Sequence, residues 1–133
     1  MTTTNVALSI QVVGGPTVAI SESKQIEAYD KIDVVIDPGG VDVSVEIQPG
    51  SGTQINFLLI KSNLYSTATS ALSYKVSDGT TDSSSITLDE PHLYLGKGMM
   101  GLLIAVPKIL KFKNSDATKK ASIEILIGRD ATP

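Results

Sequence analysis

Few residues in this sequence could do chemistry. Histidine occurs once, as His92 in the run Glu90-Pro91-His92-Leu93-Tyr94. A serine nucleophile needs a base beside it to take its proton. Such a site would have to rest on His92 or a lysine, and there is no G-x-S-x-G elbow. Glu90 and His92 form a proton-transfer pair only if a strand runs through Pro91. The expected arrangement is a strand-entry histidine bonded to solvent or backbone. Asp89 and Glu90 are adjacent, so on a strand they point to opposite faces, which is poor geometry for a glycosidase pair. Asp30, Asp33 and Asp37 lack the spacing of a calcium loop and fit turn and strand-edge positions. Asp78 and Asp82 flank a loop that could hold an adventitious ion. One histidine and no cysteine exclude the usual zinc sets. Gly96-Lys97-Gly98 lacks the rest of a phosphate-binding loop and reads as a hairpin tip. The expectation is a chain that is not an enzyme, with no catalytic, cofactor or metal site.

The remaining cluster is basic: Lys108, Lys111 and Lys113, then Lys119 and Lys120. The alternation Lys111-Phe112-Lys113 puts both lysines on one face of a strand. Such lysines protect a sheet edge from unwanted pairing or dock against an acidic neighbour. Residues 1–46 carry seven acids against two lysines, and residues 91–133 carry seven bases against three acids. That asymmetry fits either a mixed solvated surface or a subunit with opposite charge at two contact surfaces.

The elements that must position these residues follow a period of two. Val6, Leu8, Ile10 and Val12 alternate with polar or small residues; so do Val41, Val43, Val45 and Ile47, then Leu72, Tyr74 and Val76, and Ile123, Ile125 and Ile127. Successive strand side chains point to opposite faces, so such runs bury one face and wet the other. Strands are predicted over 6–13, 17–20, 25–36 with a bend near Asp30, 41–48, 54–61, 71–77, 85–89, 92–96, 101–106, 109–113 and 121–128. Turn chemistry separates them: Gly14-Gly15-Pro16, Asp37-Pro38-Gly39-Gly40 (read as a hairpin), Pro49-Gly50-Ser51-Gly52, Asp78-Gly79 and Asn114-Ser115-Asp116. Leu58, Leu59 and Ile60 are consecutive apolar residues. They predict a central strand covered on both faces, or one whose outer face meets a partner. Residues 63–70 read as a loop or short helix. Residues 1–5 and 129–133 continue no apolar pattern and are expected to be short terminal arms on a single domain spanning 1–133.

Composition agrees with that reading. The chain has 133 residues, 41% hydrophobic and only 5% aromatic, with no tryptophan. The core must therefore be aliphatic. The fold class expected is all-β, an antiparallel β-sandwich or jelly-roll-like module. A net charge of −3 argues against nucleic-acid binding. The start has neither a basic nor an apolar leader region, and no apolar run reaches the length of a membrane span.

The Ser/Thr/Gly-rich, aliphatic, cysteine-free, β-rich chain resembles small virion proteins of tailed phages, in particular capsid decoration or cement proteins. The segments that carry the likeness are Leu58-Leu59-Ile60-Lys61-Ser62, Gly101-Leu102-Leu103-Ile104 and Gly128-Arg129-Asp130-Ala131-Thr132-Pro133. The resemblance implies a non-enzymatic structural protein, made in the host cytoplasm and placed on the capsid surface of the virion. Its partner would be the major capsid protein or another virion protein, and it would be a homo-oligomer, often a trimer. Candidate assembly contacts are Thr2, Thr3, Thr4, Asn5 and Val6, Tyr65 in the 63–70 loop, and Lys111, Lys113, Lys119 and Lys120. A tail or baseplate subunit is a near variant. A carbohydrate-binding or adhesin-type sandwich is the alternative, with Tyr29, Tyr65, Tyr74 and Tyr94 available to stack on sugars.

Overall fold

Alternation dictates strands. The computed structural model of the chain, which describes residues 2–47, 54–67 and 71–130, contains ten strands and one helical turn among them. They are β1 (Thr2–Gln11), β2 (Thr17–Ile26), β3 (Ala28–Ile36), β4 (Val43–Glu46), β5 (Ile55–Ser62), β6 (Leu72–Ser77), β7 (Ile86–Thr87), β8 (His92–Leu95), α1 (Lys97–Met100), β9 (Ile109–Asn114) and β10 (Ala121–Arg129). Every strand pairing is antiparallel. Two four-stranded sheets, ordered β3-β10-β5-β8 and β4-β9-β6-β7, form the sandwich body, and β1 and β2 pair only with each other.

The alternating residues explain the core. Ile123, Ile125 and Ile127 of β10, Leu58 and Ile60 of β5 and Ile36 of β3 face Val45, Leu72, Tyr74, Val76, Leu110 and Phe112 of the other sheet. The fold is thus an all-β antiparallel sandwich with a mostly aliphatic centre. The turn predicted at Asn114 also ties the body together. Its fully buried side-chain amide donates to the Ile36 carbonyl (3.1 Å) and the Lys119 carbonyl (2.8 Å).

Several expectations need correction. Asp37-Pro38-Gly39-Gly40 does not close a hairpin, because β3 and β4 lie in different sheets. Gly39 and Gly40 have φ of 107° and 78°, which side chains rarely adopt, and their N–H groups donate to the carbonyls of Asp116 and Asn114. The chain thereby crosses from one sheet to the other. The predicted 25–36 strand is two strands, broken at Glu27, because β2 pairs with β1 and β3 with β10. Residues 101–106 form no strand. Gly96 ends β8 and α1 follows, with turn bonds from Leu102 N to Met99 O and Leu103 N to Met100 O. Leu102 is 83% exposed there, so its apolar run reflects no core strand. Residues 2–5 are no separate arm; they are the first residues of β1, paired with β2. Arg129 likewise closes β10, its guanidinium bonded to the Ile47 carbonyl and paired with Asp30. Asp130 is held by Lys97 and Asn56. The Pro49-Gly50-Ser51-Gly52 turn, residues 68–70 of the predicted loop, Met1 and residues 131–133 lie outside the described residues.

Candidate assembly interface

Residues 2–26 build a ribbon. Thr2 pairs with Ile26 at the base and Gln11 with Thr17 at the tip, in unbroken register. A bond from Gly15 N to Val12 O (2.8 Å) closes the turn. Period two sorts the side chains into two faces. One is polar: Thr3, Asn5 and Ser9 lie opposite Gln25, Ser23 and Ala19, with bonds from Ser23 Oγ to Asn5 Oδ1 (2.7 Å) and Gln25 Nε2 to Thr3 Oγ1 (2.9 Å). The other is aliphatic towards the tip, where Leu8 opposes Ile20 and Ile10 opposes Val18. Nearer the base it carries Glu22 and Lys24, 3.4 Å apart.

Among the described residues nothing covers that aliphatic face. Leu8 is 40% exposed, Ile10 62%, Val12 55%, Val18 64% and Ile20 46%. β1 and β2 pack on each other, and neither packs extensively on another element. A lone two-stranded hairpin is marginal in water at best, and exposed contiguous apolar surface marks an interaction site.

The body meets the ribbon at the outer face of the β3-β10-β5-β8 sheet. The register places Tyr29 beside Gly128, Gly128 beside Phe57, and Leu126 beside Leu59 on that face. Phe57 points outward yet is 3% exposed, and its ring lies over Gly128, where any Cβ would collide with it. Ile26 and Phe57 are buried but stand outside the main core cluster. Three adjoining hollows run along this face. One of about 340 Å³ lies between Thr2, Thr4, Tyr29, Phe57 and Leu126; the next, about 240 Å³, shares Leu126 and adds Leu59, Lys61 and Glu124; the last, about 580 Å³, shares Lys61 and Glu124 and reaches Val35 and Asn63. Together they make a trough with an apolar end and a charged end. Its charges are paired: Lys31 with Asp33 at 2.8 Å, and Lys61 with Glu124 at 3.8 Å.

One polar cluster escaped sequence reasoning. His92 is not bonded merely to solvent or backbone. The Tyr74 hydroxyl lies 2.6 Å from His92 Nδ1 and is hydrogen-bonded to the Tyr94 hydroxyl, while His92 Nε2 is 3.5 Å from Asp89 Oδ1. Tyr74 comes from one sheet and His92 and Tyr94 from the other, so the cluster bolts the sandwich through its core. Burial first, then the bond to Tyr94, pushes the Tyr74 hydroxyl far above the ordinary tyrosine range. A phenol so reluctant to ionise makes a structural tie and a poor nucleophile. Alternation puts His92 and Tyr94 on one face of β8, but no spacing could have joined them to Tyr74, which sits in the other sheet.

The other candidate contacts are scattered. Thr2, Thr3, Thr4, Asn5 and Val6 do share one strand, at the ribbon base. Tyr65 packs against the core, and its hydroxyl accepts from Ser62 N (3.1 Å). Lys111 and Lys113 lie on the outer face of β9 in the other sheet, with Lys111 bonded to Asp82 at 3.0 Å. Lys119 and Lys120 sit on the turn before β10, and Lys120 is 3.7 Å from Asp37. Of the tyrosines, Tyr74 and Tyr94 are buried, and Tyr29 is open at 58%. Asp78 caps its own loop by accepting from Thr80 and Thr81 N–H, which holds its carboxyl below the usual range. Among the described residues no three of His, Cys, Asp and Glu converge as a metal site, and no helix is long and apolar enough to cross a membrane.

Comparison with known proteins gives no match: no family model, no curated protein and no solved structure aligns with the chain.

Proposed function

We propose that this chain is a non-enzymatic structural subunit of a bacteriophage particle, a decoration or cement protein of the capsid surface, which assembles through its N-terminal ribbon. The observation that carries the reading is the uncovered aliphatic face of the ribbon. Leu8, Ile10, Val18 and Ile20 together expose about two side chains' worth of surface. Covering them releases ~3–6 kcal/mol per ribbon, at 1.5–3 kcal/mol for each fully buried aliphatic side chain. The main core cluster draws no residue from positions 2–26, and Ile26 at the ribbon base is the one buried side chain of that stretch. Ten-residue strands that give their own body a single buried side chain are spent on a neighbour. The phage setting rests on the sequence resemblance, and the ribbon supplies the means of attachment.

The test is add-back to particles. Purified virions analysed by mass spectrometry should contain the chain in stoichiometric amount. Particles lacking it should bind the full chain and not a chain beginning at Ala28. Absence from the virion sinks the phage setting. Equal binding by both forms sinks the role of the ribbon.

A further inference from the structure

The ribbon's uncovered face needs a counterpart, and the chain carries one. On the β4-β9-β6-β7 sheet the outward residues are those of a solvated face: Ser44, Lys111, Lys113, Ser73 and Lys75. On the β3-β10-β5-β8 sheet they include Phe57, Leu59 and Leu126, with Leu93 beside Leu59 and Leu95 beside Phe57 on β8. A sheet face this aliphatic is normally covered. Among the described residues, those at the start of β1 line the first hollow at its corner, and Leu59, Leu93, Leu95 and Leu126 stay partly exposed. Leu8, Ile10, Val18 and Ile20 of the same chain remain exposed and leave the trough open.

We infer that the aliphatic face of the ribbon lies in the outer-face trough of a second copy of this chain, over Leu59 and Leu126. This rests on the reading of the ribbon as the assembly device and names its partner. Dimensions agree. The aliphatic stretch from Val6 to Val12 spans roughly 20 Å at the rise of a strand, and so does the trough floor from Ser122 to Gly128. Charge does not oppose the contact, because the ion pairs Lys31–Asp33 and Lys61–Glu124 neutralise the trough and Glu22–Lys24 the ribbon. Size selects this mode over ribbon-on-ribbon stacking. A two-stranded face some 20 Å long and about 10 Å wide covers far less than the ~800 Å² per partner of a stable pair. A ribbon laid in a trough adds its edges to the contact. The contact joins two unlike surfaces, so the copies either exchange ribbons reciprocally about a two-fold axis, close into a larger ring or continue as a filament.

The natural sequence contains no cysteine, which makes the test clean. The Ile10→Cys and Leu59→Cys chains are mixed in equal amounts under mild oxidation and the cross-linked species weighed. The inference expects mixed disulfide dimers well above the half that random pairing gives. It also expects Leu126→Lys to weaken self-association at least tenfold with an unchanged circular dichroism spectrum. Predominant Ile10→Cys homodimers would show ribbons stacked on each other and overturn the inference. So would association that survives Leu126→Lys, or a full chain that stays monomeric at all concentrations. Binding of the full chain to particles, with no self-association, would overturn the second-copy partner and leave the assembly role of the ribbon standing.

Discussion

Replacing Ile10, Val18 and Ile20 together by threonine probes the ribbon without removing it. Threonine is β-branched and keeps the strand preference, so β1 and β2 retain their register. The three side chains are 62%, 64% and 46% exposed, close to 1.7 whole side chains of surface awaiting cover. Each fully covered aliphatic side chain contributes 1.5–3 kcal/mol, and threonine keeps one methyl, so the loss on association is ~2–4 kcal/mol. That is a roughly 30- to 1,000-fold weaker association constant. Sedimentation velocity over a concentration series reads the shift. The urea midpoint of the body should stay within error, because none of the three residues belongs to the core cluster. Unchanged association would refute the claim that this face is covered in the assembly. A large fall in the urea midpoint would show that the ribbon supports the body after all.

Other consequences follow from single residues. Gly128→Ala forces the Phe57 ring off β10 and should cost ~1–3 kcal/mol by overpacking, read as a lower urea midpoint. His92→Ala strips one partner from the buried Tyr74 hydroxyl while Tyr94 remains; stability should fall by ~1–3 kcal/mol with association unchanged, and loss of association with an intact fold would contradict the purely structural role. The bond from Lys97, then that from Asn56, holds the Asp130 carboxyl below its ordinary 3.8. A depressed carboxyl stabilises the fold above its unfolded value, and that share is lost as pH falls through the folded one. Asp130→Asn should therefore lower the urea midpoint at neutral pH, with the gap to the natural chain closing in acid.

The sequence makes faces legible better than their surroundings. Alternation correctly places Ile123, Ile125 and Ile127 on one side of β10, and Val6, Leu8 and Ile10 on one side of β1. Yet the first set is buried and the second is mostly open to water. A period of two reports which face is apolar and carries no information on what covers it. For the same reason residues 2–5 read as a terminal arm and not as the start of a strand: their threonines pair with β2, and threonine fits a strand without marking a core. The break at Glu27 is invisible because both sides of it are extended; only the change of partner from β1 to β10 separates β2 from β3. Leu58, Leu59 and Ile60 were more informative. Three successive apolar residues cannot all face one core, and Leu59 does point to the outer trough. Residues 101–106 misled through composition alone, since apolar residues in a turn read like a short buried strand. The Tyr74–His92–Tyr94 bolt depends on sheet-to-sheet stacking, which no spacing in the chain encodes.

The ribbon acts as the assembly device only if it is covered when copies assemble. Hydrogen–deuterium exchange of the full chain, compared between dilute and concentrated solution, measures that directly. The backbone amides of β1 and β2 are the reporters, and those of β10 serve as the internal control. The prediction is exchange in β1 and β2 that slows by at least tenfold on concentration while β10 stays equally protected throughout. Equal exchange of the ribbon in both states, with association shown by mass in the same samples, would contradict it.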